Sequence, residues 1–263
     1  MEEVTNMQKL CEYLHGRRAT KGSDRHPDIL GMGGSNSMVG KYKFRDMSVF
    51  WDKYRDAAFE EGITENLTLA EVPRHNGDWP VLGDIDISIS PETYNEDFSH
   101  VHSEAHVYDP THVAEVVTLF QDALRDRIPT IQEEQLIALV LEKPRYQVVA
   151  DNKVQKYKNG FHLHFPMLFV YNEDYKKYVF PLIQEGFNKS SLKIDLGKNV
   201  ELDDVSTKPW LLYGSAKESH FQPYRITGYY THDGNFSEDW RSVLCGYKIQ
   251  CSETGLFNPV DSS

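Results

Sequence analysis

WPVLGDIDISIS, from Trp79 to Ser90, decides how this chain is read. Its second half alternates strictly, so Asp84 and Asp86 face one side of an extended strand and Ile85 and Ile87 the other. Apolar residues bracket the aspartates (Val81, Leu82, Ile85, Ile87, Ile89), which points to a strand inside a sheet; the alternative is an edge strand with a solvated acidic face. Two carboxylates at i and i+2 on one face sit close enough to share hard cations. Without a cation, like charges that close raise each other's pKa and cost stability.

On either side of this strand, helical and extended stretches mix. EEVTNMQKLCEYLHG predicts a short helix, residues 20–40 a Gly-, Ser- and Asn-rich loop, and Lys41 to Phe44 a short strand. Ser48 can cap a helix through FWDKYRDAAFEEG that turns Phe50, Tyr54 and Ala57 or Ala58 to one face. NLTLAEVP predicts a strand stopped by Pro73. Residues 91–109 form a loop, and Asp109-Pro110 starts a helix carrying Val113, Val116, Val117, Phe120 and Leu124 at helical spacing. EQLIALVLEK, RYQVVAD and GFHLHFPMLFV predict strands, Asn172 caps a helix through EDYKKYVFPLIQEG, and WLLYGSAK and PYRITGYYTHDG are strands ending in turns. Strict βαβ alternation is missing. The fold class expected is therefore α+β, a central, mostly antiparallel sheet flanked by helices.

Composition narrows the function classes. The 263 residues are 40% hydrophobic and 26% charged, which suits a globular chain large enough to need no disulfide or metal staple. Cys11, Cys245 and Cys251 are odd in number and widely spaced, as expected of reduced thiols. CGYKIQC is wider than a usual zinc knuckle, so zinc held there with His220 and His232 is the weaker alternative. No stretch is long and apolar enough for a membrane helix, and the N-terminus lacks a signal core. An intracellular, non-secreted protein is expected. A net charge of −12 argues against clamping long duplex DNA on a basic face. It permits carboxylates gathered around cations, and nucleic-acid contact through a local basic strip. Arg17, Arg18, Lys21, Arg25, Lys41 and Lys43 are the candidates for that strip, unless they are an ordinary solvated loop.

Two more segments carry candidate chemistry. In GFHLHFP, His162 and His164 share a strand face, and KVQKYKNG upstream supplies Lys153, Lys156, Lys158 and a Gly-containing turn. A lysine-rich turn feeding a histidine strand suits a triphosphate better than zinc, because no third soft ligand is nearby. The alternative is a surface hairpin with packing histidines. In ELDDVSTKPWLLYGSAK, an aspartate could close a carboxylate triad and Lys217 could bind phosphate; an acidic loop and a solvated lysine are the alternative.

Taken in order, Asp84-Ile85-Asp86, Gly160-Phe161-His162 and Leu202-Asp203 resemble the archaeo-eukaryotic primase superfamily. KYKNGFHLHFP and LDDVSTKPWLLYGSAK more closely resemble the primase domains of nucleocytoplasmic large DNA viruses, and FWDKYRDAA and PYRITGYY fit the same layout. The resemblance covers roughly residues 40–235 and implies the primase fold with its RRM-like sheet. It implies a DNA primase or primer-polymerase acting on a single-stranded DNA template. Asp84, Asp86 and Asp203 would hold two Mg²⁺ or Mn²⁺ ions, and Lys158, Gly160, His162, Ser215 and Lys217 would bind the nucleoside triphosphate, with the Gly160 backbone approaching closely. Asp204 beside Asp203, Asp195 in a similar KID context and the extra His164 depart from the family pattern. The resemblance further implies residues 41–240 as the catalytic domain, 1–40 as an N-terminal helix and loop packing on it, and 241–263 as a tail or linker. A superfamily 3 helicase is expected in the same longer chain, since no GxxxxGK[ST] loop occurs here. Two rival classes are a metal-dependent D-x-D glycosyltransferase, which wants a parallel Rossmann-like sheet, and a non-catalytic DNA-binding module.

Overall fold

The computed structural model describes residues 4–19, 26–33, 38–58, 67–73, 77–92, 106–151, 154–217, 221–241, 249–250 and 258–259. In chain order the elements are α1 (Asn6–His15), β1 (Ile29–Gly31), β2 (Gly40–Tyr42), α2 (Ser48–Ala58), β3 (Leu69–Glu71), β4 (Asp78–Ile89), α3 (Pro110–Arg127), β5 (Ala138–Glu142), β6 (Gln147–Asp151) and β7 (Val154–Tyr171). They continue with α4 (Phe180–Phe187), α5 (Ser191–Leu196), β8 (Val200–Asp203), β9 (Trp210–Leu211), β10 (Arg225–Tyr230), β11 (Phe236–Ser237), β12 (Ile249–Gln250) and β13 (Asn258–Pro259). The chain divides into two units: Met1–Trp79 with Thr207–Tyr224 and Arg241–Ser263, and Pro80–Ser206 with Arg225–Trp240.

The first unit packs two helices on a short sheet. Thr5 and Gln8 form a reciprocal capping box that satisfies two orphan donors at the start of α1. Asp46, rather than the expected Ser48, supplies the carboxylate at the start of α2: it accepts from the Ser48 N–H at 2.8 Å, and Ser48 is itself helical. Leu10 and Leu14 of α1 meet Phe50, Trp51, Tyr54 and Ala57 of α2 in one core with Ile29, Tyr42, Leu69 and Leu212. The sheet runs β2-β1-β3-β9, antiparallel throughout. β1 lies inside the stretch expected to be a loop. Three residues offer no periodicity to detect; they are held by pairing on both sides, to β2 and to β3.

The second unit is one seven-stranded sheet, ordered β11-β10-β5-β7-β4-β8 with β6 paired to β7. Every pair whose register is described is antiparallel. The helical periodicity of α3 holds: Val113, Val116, Val117, Phe120 and Leu124 are buried with Val81, Ile85, Ile87, Phe161, Leu163 and Phe165 from the sheet. Asp109 caps α3, accepting from the Thr111 N–H at 2.8 Å. The α+β expectation, antiparallel strands flanked by helices, is met.

Three local expectations are corrected. EQLIALVLEK is not one strand: Glu133–Leu136 is a 3₁₀ turn and only Ala138–Glu142 is extended. From Val154 onward the KVQKYKNG stretch is not a turn. β7 starts there, paired with β6 from Gln147↔Lys158 to Asp151↔Val154. The helix expected after Asn172 is interrupted by a π turn at Tyr175–Val179, where the Phe180 N–H reaches back to the Tyr175 carbonyl. Pro181 follows and has no N–H to continue an ordinary ladder.

Gly160 shows what the close packing of the sheet demands. Its φ is +140°, and a Cβ there would stand 2.1 Å from the Ile85 carbonyl oxygen of β4. Neither the backbone conformation nor the space admits a side chain. Gly160→Ala is expected to destabilise the chain by about 2–4 kcal/mol. Urea denaturation midpoints measure this, and wild-type stability in the variant would show that the strands need not approach so closely.

Candidate metal centre

β8 pairs with β4 so that Asp84 lies opposite Asp203, Ile85 opposite Leu202, Asp86 opposite Glu201 and Ile87 opposite Val200. Ile85, Ile87, Val200 and Leu202 are buried in the helix-covered core. Alternation therefore sends Asp84, Asp86, Glu201 and Asp203 to the other face. Carboxylate oxygens of Asp84, Asp86 and Asp203 all lie within 4.8 Å of one another, with Asp86 exposed and the other two half-buried. Among the described residues this is the one such group that could hold a metal ion. Its all-oxygen donor set suits a hard divalent cation, which would offset the repulsion among three like charges.

Register decides which neighbouring acid joins the group. Asp203 ends β8 on the acidic face. Asp204 turns to its own neighbours, accepting from the Ser206 hydroxyl at 2.6 Å and the Ser206 N–H at 3.0 Å, with Lys176 at 3.4 Å. Burial works to raise its pKa, but the Ser206 hydrogen bonds and the Lys176 charge outweigh it and hold the carboxyl below its usual range. Asp195, on α5, lies 3.1 Å from His112 Nε2. Neither belongs to the group.

The two histidines of β7 have different surroundings. His162 Nε2 lies 3.2 Å from Asp84 Oδ1. His164 is fully buried, and neither ring nitrogen has a hydrogen-bond partner. Desolvation pushes its pKa down to about 3, so the ring is neutral. Lys158 is exposed on β7, opposite Gln147. Gly160 approaches the β4 backbone, where close approach to a phosphate was expected.

Ser215 and Lys217 belong to the first unit. The Ser215 hydroxyl is buried; it accepts from the Leu69 N–H at 3.1 Å and meets the Tyr54 hydroxyl at 3.1 Å. The hydroxyl thereby closes the turn onto β3 and α2. Lys217 is exposed. Lys21, Arg25, Lys153, His220, Cys245 and Cys251 lie outside the described residues, and with them the zinc alternative. Among the described residues, no helix is long and apolar enough to cross a membrane.

One positioning network went unseen in the sequence. The Tyr108 hydroxyl donates to Glu142 Oε1 and the Thr227 hydroxyl to Oε2, both at 2.6 Å. The Val107 N–H donates to Asn159 Oδ1 at 2.9 Å. These bonds tie the segment before α3 to β5 and β7 beside Gly160. Glu142 ends an apolar run and Asn159 sits alone, so neither carried a pattern.

Residues 36–230 match the family profile described as the C962R protein N-terminal AEP domain. The chain is 32% identical over 160 residues to "Putative helicase 121R" of Invertebrate iridescent virus 3, covering 58% of this chain and 16% of that protein. It is 29% identical over 199 residues to "Putative helicase 184R" of Invertebrate iridescent virus 6, covering 69% of this chain and 20% of that one. The matched stretch is thus a fifth or less of the length of these viral relatives.

The geometry sets expectations for metal and acid. Asp203→Asn is expected to lose Mn²⁺ binding, read by electron paramagnetic resonance, while Asp204→Asn keeps it. In metal-free buffer Asp86→Asn is expected to raise Tm by about 2–4 °C by removing one like charge. A fall in Tm would mean that repulsion is not what dominates the centre. His164 titrates about pH 3 folded against 6.5 unfolded, so the unfolded chain takes up its proton first and stability declines as pH falls through that window. His164→Leu should flatten this decline by about 1.4 kcal/mol per pH unit in denaturation midpoints taken below about pH 6. An unchanged slope would show the ring is not held neutral.

Proposed function

The chain belongs to the archaeo-eukaryotic primase family in its C962R-type N-terminal form, and on that premise we propose that it is a metal-dependent nucleotidyltransferase that makes primers on single-stranded DNA. The observation that carries the reading is the grouping of Asp84, Asp86 and Asp203 on one sheet face beside His162. Residues 41–240 form the catalytic region in this reading.

Asp84, Asp86 and Asp203 would hold two Mg²⁺ or Mn²⁺ ions, which when bound would supply acidification of an attacking hydroxyl and charge stabilisation for a departing pyrophosphate. The protein's part is placement. The β4–β8 register fixes three carboxylates with no side-chain search, because each leaves a paired backbone. His162 contacts Asp84 and, in this reading, lies against the triphosphate, to which Lys158 offers an ammonium. Gly160 lets β7 close on β4, which carries His162 to Asp84. Ser215 and Lys217 are kept as nucleotide contacts on the family resemblance alone, Ser215 as the residue that closes the turn bearing Lys217.

The relatives' names speak of helicases, and this chain matches only a small part of each. We infer that the chain works beside a helicase region of the same polypeptide in viral DNA replication. A D-x-D glycosyltransferase would want a parallel sheet, whereas the described registers are antiparallel. The non-catalytic alternative does not account for three carboxylates aimed at one point.

Primer synthesis on a single-stranded template, with nucleotides and Mg²⁺ or Mn²⁺, tests the proposal. Asp84→Asn and Asp203→Asn are expected to lower the rate at least about a thousandfold with the fold intact. His162→Ala should raise the nucleotide KM about tenfold, and more than His164→Leu does. Substantial synthesis by Asp84→Asn with metal supplied rejects the assignment.

A further inference from the structure

A basic row in the first unit is left over by the carboxylate chemistry. In GKYKFRD, Gly40 to Asp46, Tyr42 and Phe44 are buried while Lys41, Lys43 and Arg45 turn outward. Lys41 and Lys43 stand about 7 Å apart where the segment is extended, and Arg45 follows at a bend. A second segment runs antiparallel beside it. Arg18 bridges Tyr42, the Ala19 N–H donates to the Lys41 carbonyl at 2.8 Å, and the Lys43 N–H donates to the Arg17 carbonyl at 3.3 Å. Arg17 is thereby set opposite Lys43.

Like charges opposite one another on paired segments cost stability. A chain of net charge −12 has acids enough to avoid the arrangement. Asp28 bonds the Lys43 ammonium and relieves part of that cost, and an ionised Asp46 lies at the cleft, but five cations outnumber these two acids. A cleft of about 740 Å³ opens here, lined by Tyr13, Arg17, Arg18, Lys43, Phe44 and Arg45 among others. The Arg17 guanidinium lies 3.6 Å from the centroid of the half-buried Tyr13 ring, which stacks on Phe44 at 5.9 Å and 6°. Cations beside an aromatic plane are the combination that holds unpaired nucleotides.

We propose that this cleft grips the phosphate backbone of a single nucleic-acid strand without reading its sequence. The inference rests on the primase reading and names where that reading's template is held. Cations spread along two neighbouring segments suit a repeating polyanion, whereas one nucleotide needs its donors gathered at a point. Five cations on one edge are too few for extended duplex binding by so acidic a chain. The cleft sets cations around the Tyr13–Phe44 ring pair, with Arg17 over the Tyr13 face, which favours a nucleic acid over an acidic protein.

Fluorescence anisotropy of the whole chain with a labelled oligothymidylate, from low to physiological salt, is the test. Lys41→Gln with Arg45→Gln alters two exposed side chains and is expected to weaken binding about tenfold at low salt. It should also reduce the slope of log K against log salt by about 1.4. Should the double variant melt early, Arg45→Gln alone should reduce the slope by about 0.7. Unchanged affinity and slope overturn the proposal. So does displacement by ATP as readily as by unlabelled oligothymidylate, which would mark a mononucleotide pocket, or by polyglutamate, which would mark a protein partner. Asp84→Asn should bind like wild type while making no primers. If wild type makes no primers yet the Gln variants still lose oligothymidylate, the primase reading fails and the cleft stands. If synthesis is normal and the variants bind unchanged, the cleft alone fails.

Discussion

The antiparallel pairing of β4 with β8 sorts side chains by face, and the chemistry depends on that sorting. Ile85 and Ile87 alternate with Asp84 and Asp86 on one strand, and Val200 and Leu202 with Glu201 and Asp203 on its neighbour. Burial of the four apolar residues in the helix-covered core supplies the free energy that holds the acids together against their repulsion. The acids are thus gathered by the residues that alternate with them on the opposite face. The same logic sets His162 beside Asp84, since Phe161 and Leu163 fill the core and fix which way the intervening histidine points.

Charge is handled locally rather than globally. The chain carries an excess of acids, yet the carboxylates near the centre behave differently from one another. Asp204 is drawn off by Ser206 and Lys176, and Asp195 by His112, which leaves Asp203 to the group. In the first unit cations gather locally, and Arg17 and Lys43 are set side by side on paired segments. A mean charge says little about either place, because interactions at these separations are decided within a few ångströms.

Much of this was legible in the sequence where a pattern repeated. Alternation in GDIDISI gave β4 and its acidic face, and the spacing from Val113 to Leu124 gave α3. The choice among Asp203, Asp204 and Asp195 was not legible, because it depends on register with a strand more than a hundred residues away. Length hid other features. β1 has three residues and α5 six, too few to show a period. The KVQKYKNG stretch looked like a turn because lysines and a glycine are common in turns; from Val154 it is extended through pairing with β6, and Gly160 is there for β4. Ser215 shows a further limit: a serine beside a glycine suits a ligand-binding turn and a structural one equally, and only its bonds to Leu69 and Tyr54 distinguish them.

The sorting in β8 also bears on which changes of chain length this protein can absorb. A residue inserted or deleted inside Val200–Asp203 would exchange the two faces beyond it, turning Leu202 to water and a carboxylate into oil. Drift in length is therefore confined to the strand's ends, such as the Gly197–Asn199 turn before it, where an extra residue leaves the parity of Leu202 and Asp203 intact. Substitution can proceed gradually across this strand, but insertion within it is all or nothing.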